Sequence, residues 1–388
     1  MIVQLVNPAV MGGLEGVVAL LVRALHEAGE PVALLAVLDE GQGVGTLITD
    51  AEAAGVPVRR VVVPPRRYGR EQRAVRAALR ALGATVVHSH GARMDVMAAW
   101  ATRAVGVPWV STLHGFTGGD LKNRGFEALQ RWVLRGAHGV VAVSPPLAVR
   151  AVASGIVAAT VCTLPNAVAP VSPWSRAEAR GRLGVPADAT VVGWVGRLGR
   201  EKDPALFVEV VRALAHEARP GHPPVHGVVV GDGPLRAAVA AEGAALVAAG
   251  RLTLAGAHPG AARLMGGLDV LVNTSHTEGT PLTVLDAMQL GVPVVGTAVG
   301  GVPALLAGRG VVVAERSAPA MAQAVAALLA DVPRCAALVA AARSYVAEHH
   351  APAPWGAAHR ALYARLRAHP QGRRPAAART DGVRGATA

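Results

Sequence analysis

Short β-branched runs alternate with amphipathic, Ala/Leu/Arg-rich segments along almost the whole chain, and this rhythm limits the fold more than any other feature. In the first half "IVQLV", "PVALLAVL", "VRRVVV", "TVVHSH", "PWVSTL" and "GVVAVS" read as strands, with helices starting near Leu14 and Arg70. Repeated strand and helix units of this kind require a parallel sheet covered by helices on both faces. A Pro-dotted stretch, "LPNAVAPVSPWS" (164–175), interrupts the pattern and reads as a linker. The rhythm then restarts with "TVVGWVG", "VHGVVVGDG", "RLTLAG", "DVLVNTS", "VPVVGT" and "GVVVAE", with helices starting near Pro204, Pro234 and Pro281. Helices near 317–330 and 332–348 close this second half.

Single hydrophobic cores stop growing near ~250–300 residues. The 388 residues therefore divide into an N-terminal domain, 1–168, and a C-terminal domain, 169–350. An amphipathic helix at 351–368 is expected to pack back toward the N-terminal domain, and 369–388, without apolar periodicity, to be a disordered tail. The expected fold class is α/β, two doubly wound domains facing a central cleft, with ligands at the carboxyl ends of the strands. Only 3% of residues are aromatic while 52% are hydrophobic, so Ala, Val and Leu must build the cores.

The net charge of +12 is spread along the chain, and only Lys122 and Lys202 of its 38 basic residues are lysines. Eight arginines lie between Arg59 and Arg80 against one acid, Glu71. That segment reads as a solvated face or as a surface for anionic lipid headgroups. Its basic residues are not interleaved with aromatics and no recognition motif is present, so nucleic acid is not expected as a partner. Cys162 and Cys335 are isolated thiols, which fits a reducing cytosol, and "MIVQLVNPAV" reads as a first strand rather than a signal peptide. Two uncharged stretches, 151–175 and 287–308, are broken by Pro and Gly and are rejected as membrane spans. His88 and His90 alternate on one strand without an evident third metal ligand, and read as cleft-lining or structural.

The densest stretch is "SHTEGTPLTVLDAMQLGVPVVGT" (275–297). "DVLVNTS" supplies a buried strand, "HTEGT" the loop at its carboxyl end, and Pro281 fits the first helical position. The amides of Leu282, Thr283 and Val284 would then face the cleft as a phosphate-binding helix terminus. Glu278 precedes that terminus, and Asp286 lies five residues beyond Pro281, about 7.5 Å along the axis at ~1.5 Å per residue. Two carboxylates flanking a phosphate site suit a ligand with hydroxyls on either side of a diphosphate, as in a nucleoside diphosphate sugar. "VGRLGREKD" (195–203) sets Arg197 and Lys202 at the cleft edge, where a guanidinium fork and a point charge can neutralise a departing diphosphate.

These residues resemble the GT-B glycosyltransferases, and within them the retaining glycosyltransferase family four, also called glycosyl transferases group one. Its signature is a glutamate, seven intervening residues and a second glutamate, in a run like "EGTPLTVLDAMQLGVPVVGT". The resemblance covers roughly residues 2–368 and is strongest over 190–303. It implies two Rossmann-like domains, an N-terminal acceptor domain and a C-terminal donor domain. It implies that Glu278 contacts the donor sugar and that the second carboxylate, here Asp286 in place of glutamate, contacts the ribose. "VVVGDGPLR" (228–236) resembles the family's nucleotide-lining loop, making Gly231, Asp232 and Gly233 candidates. "MGGLEGVV" (11–18) resembles its first-loop glycine pair, Gly12 and Gly13. In "STLHGFTGGD" (111–120), His114 matches a family histidine close to the donor sugar.

The expectation is a cytoplasmic retaining hexosyltransferase, peripheral to the inner face of the membrane, acting in polysaccharide biosynthesis without metal or cofactor. Its partners would be a nucleotide sugar, a glycan or lipid-linked acceptor, and an anionic membrane surface. His114, Glu278, Arg197 and Lys202 are the catalytic candidates. Gly12, Gly13, Gly231, Asp232, Gly233, Gly279, Thr280, Pro281, Leu282, Thr283 and Asp286 are the donor-binding ones. Two alternatives stay open. One is a nucleotide-sugar epimerase, and the other a non-catalytic nucleotide-sugar-binding protein, suggested by Asp286 and by "PNAVA" (165–169) where the family usually has Pro-Asn-Gly followed by an apolar residue and Asp.

Overall fold

The computed structural model describes residues 1–9, 12–115, 121–216, 223–258 and 260–368. The tail at 369–388 lies outside the described residues. One parallel sheet holds β1 (Ile2–Val6), β2 (Val32–Asp39), β3 (Val58–Val63), β4 (Val86–His90), β5 (Trp109–Leu113), β6 (Gly139–Ala142) and β7 (Val161–Thr163). They run in the order β3-β2-β1-β4-β5-β6-β7. A second holds β8 (Thr190–Val195), β9 (Val225–Val230), β10 (Leu252–Gly256), β11 (Val270–Asn273), β12 (Val294–Thr297) and β13 (Val311–Val313), in the order β10-β9-β8-β11-β12-β13. Each sheet reverses its winding direction once, between β1 and β4 and between β8 and β11. At such points the loops splay apart and leave a crevice.

Strand alternation explains the two-faced cores. In β1, Ile2 and Val6 pack into one cluster with the helix Gly13–Glu27, while Val3 and Leu5 pack into another with the helices Tyr68–Ala81 and Ala92–Val105. In the second sheet, Val191 faces the helix Leu282–Leu290, and Val192 and Trp194 face the helix Pro204–His216.

The helix Pro352–Ala368 lies across the N-terminal domain, although it follows the C-terminal one in the chain. Trp355, Leu362, Tyr363 and Leu366 join the core beside β1, and Arg360 and Arg367 pair with Glu30 at 3.1 and 3.3 Å. Gly356 sits against Ala24, where an added Cβ would come within 3.2 Å, so the two helices approach closely.

Several boundaries move. The helix expected from Arg70 starts at Tyr68, and the one expected from Pro234 starts at Arg236 and breaks at Gly243. Glu71, the lone acid of the arginine-rich segment, is buried and takes a two-pronged contact from Arg93, 2.9 Å on each oxygen. The arginines around it remain largely exposed. No single helix among the described residues is long and apolar enough to cross a membrane.

Candidate functional site

A cavity of about 950 Å³ opens between the two sheets' carboxyl edges. Its walls come from the loops after β1, β4 and β5 on one side, and after β8, β9, β10 and β11 on the other. His114, Arg197, Lys202, Glu278, both glycine pairs with Asp232, and the run 279–283 all line it.

Lys202 and Glu278 form the centre of the C-terminal wall. Lys202 Nζ donates to Glu278 Oε1 at 2.6 Å, and the same oxygen accepts from Ser275 Oγ at 2.6 Å and Asn273 Nδ2 at 3.2 Å. Glu278 Oε2 has no hydrogen bond within the described residues. The carboxylate is therefore held rigidly by one oxygen and offers the other. A backbone bond and a side-chain bond keep the two loops together: His276 N donates to Glu201 O at 2.9 Å, and Trp194 Nε1 donates to Thr274 Oγ1 at 3.0 Å. Gly300, at φ +53°, lies against the Glu278 backbone so closely that a Cβ would overlap its carbonyl. Only glycine fits there. Arg197 is largely exposed in the cavity, 3.9 Å from Glu201.

Pro281 caps the helix Leu282–Leu290 instead of occupying its first turn, with an extended ψ of 116°. This corrects the expected terminus. Val284 N donates to Pro281 O at 3.2 Å, so its amide is not free; the open amides at the cavity are those of Leu282 and Thr283. The Thr280 hydroxyl donates to the Val143 carbonyl, and Thr280 O accepts from Asn166 Nδ2 at 3.1 Å. Gly279 fits against the His114 carbonyl, and Leu282 packs into both domains' cores. The loop that faces the ligand space thus also fastens the two domains.

The glycines after β9 serve a protein contact. Gly231 holds φ +146° with the Gly196 carbonyl where a Cβ would be, so the β9 loop nests on the β8 loop. Asp232 accepts from Gly233 N and Arg236, and these bonds hold its carboxyl below the ordinary range. Gly12 precedes the first turn of the helix Gly13–Glu27, and Gly13 and Gly16 leave room for Leu282 from the other domain.

Asp286 stands apart. It does not line the cavity, its Oδ1 accepts from Gln289 Nε2 at 3.0 Å, and burial pushes its carboxyl up to about 6 against that bond. About one turn down the helix, the shorter side chain is turned to its own neighbour.

The N-terminal wall carries little charge: Glu127 is its one acidic residue among the described ones, with Gln130 beside it. His114 directly follows β5 and lies at the cavity, with its Nε2 3.1 Å from His90 Nδ1. Burial, and next the neighbouring His359, push its imidazole down to about 4, so it is neutral near pH 7. Both ring nitrogens of His88 and of His90 are engaged within the protein. No group of three or more His, Cys, Asp or Glu among the described residues is arranged to hold a metal ion.

Sequence reasoning passed over Asn273, Ser275, Asn166, Gln4 and Tyr363. A signal existed for two of them: Gln4 in "IVQLV" and Asn273 in "DVLVN" are polar residues inside otherwise apolar strands.

Two Rossmann-like domains enclosing a cavity between their carboxyl edges define the GT-B class. Residues 189–331 match the family described as Glycosyl transferases group 1, and residues 12–167 match a Glycosyl transferase 4-like domain. The chain belongs to the glycosyl transferases group 1 family. It is 36% identical over 254 residues to the 2-deoxystreptamine N-acetyl-D-glucosaminyltransferase of Streptomyces fradiae, covering 59% of each chain. It is 32% identical over 284 residues to the 2-deoxystreptamine glucosyltransferase of Streptomyces kanamyceticus, covering 65% of this chain and 70% of that enzyme. The match therefore spans less than two thirds of the first relative. In fold the chain resembles Anabaena HepE, solved in complex with UDP-glucose, with a TM-score of 0.79 at 20% identity over 94% of this chain and 99% of that one.

Proposed function

We propose that this chain transfers a hexose-type sugar from a nucleoside diphosphate sugar to an acceptor hydroxyl, with retention of anomeric configuration and without a metal ion. The observation that carries this reading is the convergence of the Lys202–Glu278 pair with the open amides of Leu282 and Thr283 on one cavity. Those amides, Lys202 and Arg197 are the donors for a diphosphate whose charge grows as it leaves. Glu278 Oε2 accepts from a sugar hydroxyl and orients the ring. His114, neutral and at the opposite wall, contacts the sugar from the acceptor side. The acceptor hydroxyl attacks from the face the diphosphate leaves, and its proton passes to the departing phosphate oxygen.

For the acceptor we propose an amine-bearing cyclitol. Two relatives act, by name, on 2-deoxystreptamine, and Glu127 supplies negative charge on the acceptor wall. The test incubates the protein with UDP-, GDP- and ADP-sugars, a chelator, and either aminocyclitols or glycans, with products read by mass spectrometry and NMR. The expected product is a glycosylated aminocyclitol with the donor's anomeric configuration. Inversion, or dependence on added metal, contradicts the mechanism. Transfer to glycans alone contradicts the acceptor. Conversion of the donor with no acceptor present indicates an epimerase instead.

A further inference from the structure

Gln4, His88, His90 and Tyr363 are all at most 2% exposed, and they come from β1, β4 and a helix near the other end of the chain. Strands buried on both faces are ordinarily apolar. Here their polar groups join into one chain that ends at the cavity.

Tyr363 Oη and the imidazole nitrogens can each donate or accept, so the directions follow from the Gln4 amide, whose Nε2 faces Tyr363. Gln4 Nε2 donates to Tyr363 Oη at 3.2 Å, which leaves Gln4 Oε1 to accept from His90 Nε2 at 2.9 Å. With its proton on Nε2, His90 has a bare Nδ1, which accepts from His114 Nε2 at 3.1 Å. In the other direction Tyr363 Oη donates to His88 Nδ1 at 2.6 Å, and His88 Nε2 donates to Thr112 Oγ1 at 2.7 Å. Every bond is satisfied with all three histidines neutral, and burial favours that form for each of them. Turning the Gln4 amide over would reverse the protons along the chain as far as His114. The orientation of the Gln4 amide, bonded to Tyr363 Oη, therefore sets the tautomer of a ring to which neither residue is bonded.

We propose that Tyr363 and Gln4 are positioning residues for the transfer reaction: through His90 they hold His114 as its Nε2–H tautomer, leaving Nδ1 to accept a hydrogen bond from a hydroxyl of the bound donor sugar. The role in transfer rests on the nucleotide-sugar reading above, whereas the tautomer does not. His114 Nδ1 has no partner within the described residues, and its ring lines the cavity.

The test is ¹⁵N NMR of histidine-labelled full-length protein, with the His114 signals assigned by their loss in His114→Gln, together with steady-state kinetics. In wild type, His114 is expected as a single Nε2–H tautomer at neutral pH. Tyr363→Phe keeps the ring and removes the hydroxyl. It should give a mixture of tautomers and a kcat about tenfold lower, with KM for the donor within about twofold. Gln4→Met, which removes both bonds while preserving bulk, should reproduce the mixture. An Nδ1–H tautomer in wild type, or one unchanged tautomer in both variants, would overturn the positioning network. An equal fall in kcat and in donor affinity would overturn the role in alignment. A fixed Nε2–H tautomer in a protein that transfers sugar from no nucleotide donor would instead overturn the proposed function, and with it the role in transfer.

Discussion

The two walls of the cavity are built on opposite principles. The C-terminal wall presents charge: Lys202, Glu278, Arg197 and Asp232 stand in short loops directly after β8, β9 and β11. The N-terminal wall, Glu127 apart, buries polar groups in a neutral hydrogen-bonded chain that ends at the ligand space in one imidazole. An exposed guanidinium such as Arg197 at a cleft mouth suits capture of a diphosphate, with the Lys202–Glu278 pair set deeper behind it. A buried neutral network cannot attract a ligand from a distance, but it can hold one ring in one orientation. One wall is built for affinity and the other for alignment.

Breaking the charged wall should have the largest effect. Lys202→Ala and Glu278→Ala should each lower kcat/KM by roughly 10²- to 10³-fold, with the fold intact by circular dichroism. Wild-type rates in either variant would remove the C-terminal wall from the chemistry. Asn273 and Ser275 still hold Glu278 when Lys202 is truncated.

Acid should separate the two domains next. His114 and His359, with values pushed from 6.5 down to about 4 chiefly by burial, contribute stability that is fully present above 6.5 and is lost as pH falls through about 4. His88 and His90 shift the same way. Asp95, raised by burial to about 6, works in the opposite sense: its contribution is present below 3.8 and lost as pH rises through about 6. Four histidines outweigh it, so the N-terminal domain should lose on the order of several kcal/mol between pH 6.5 and 4. Hydrogen exchange at pH 7 and 4.5 should show β1, β4 and the helix Pro352–Ala368 deprotected first. Earlier loss in β8 and β11 would reverse this ranking.

Gly300→Ala sharpens the comparison from the scaffold side. Forcing a Cβ at φ +53° into the Glu278 carbonyl should destabilise the protein by ~1–3 kcal/mol and weaken donor binding, as read by thermal unfolding with and without ligand. The smallest effect belongs to Asp286→Asn. The folded carboxyl is raised from 3.8 to about 6, so its ionised form is penalised above that pH. Removing the charge should leave Gln289 bonded and stabilise by at most ~1–2 kcal/mol at pH 7.5, with little change in transfer. A large loss of donor affinity would mean that Asp286 turns toward the ligand after all.

The contrast between the walls also explains what could be read in advance. The donor side is legible because each of its motifs is contiguous: 195–203, 231–233 and 278–283 each fall between the end of a strand and the first turn of the helix that follows. The alternation of strands and helices likewise fixes two parallel sheets. The N-terminal wall is assembled from positions 4, 90, 114 and 363, whose proximity exists only after both β1–β4 pairing and the return of the last helix. No spacing along the chain encodes that meeting. Asp286 illustrates a different limit: its position in the signature implied a ribose contact, whereas a side chain shorter by one methylene found Gln289 on its own helix. The role of Gly231 was also only half visible, since the glycine-rich turn could be read but the Gly196 carbonyl it nests against could not.

Calorimetric titration of UDP-, GDP- and ADP-sugars in the presence of a chelator, into wild type, Lys202→Ala and Tyr363→Phe, tests the division of labour most directly. The expected result is selective binding of one sugar nucleotide to wild type, weakened more than about tenfold by Lys202→Ala and left nearly unchanged by Tyr363→Phe. Equal affinity in wild type and Lys202→Ala, or no binding of any sugar nucleotide to the folded protein, would contradict it.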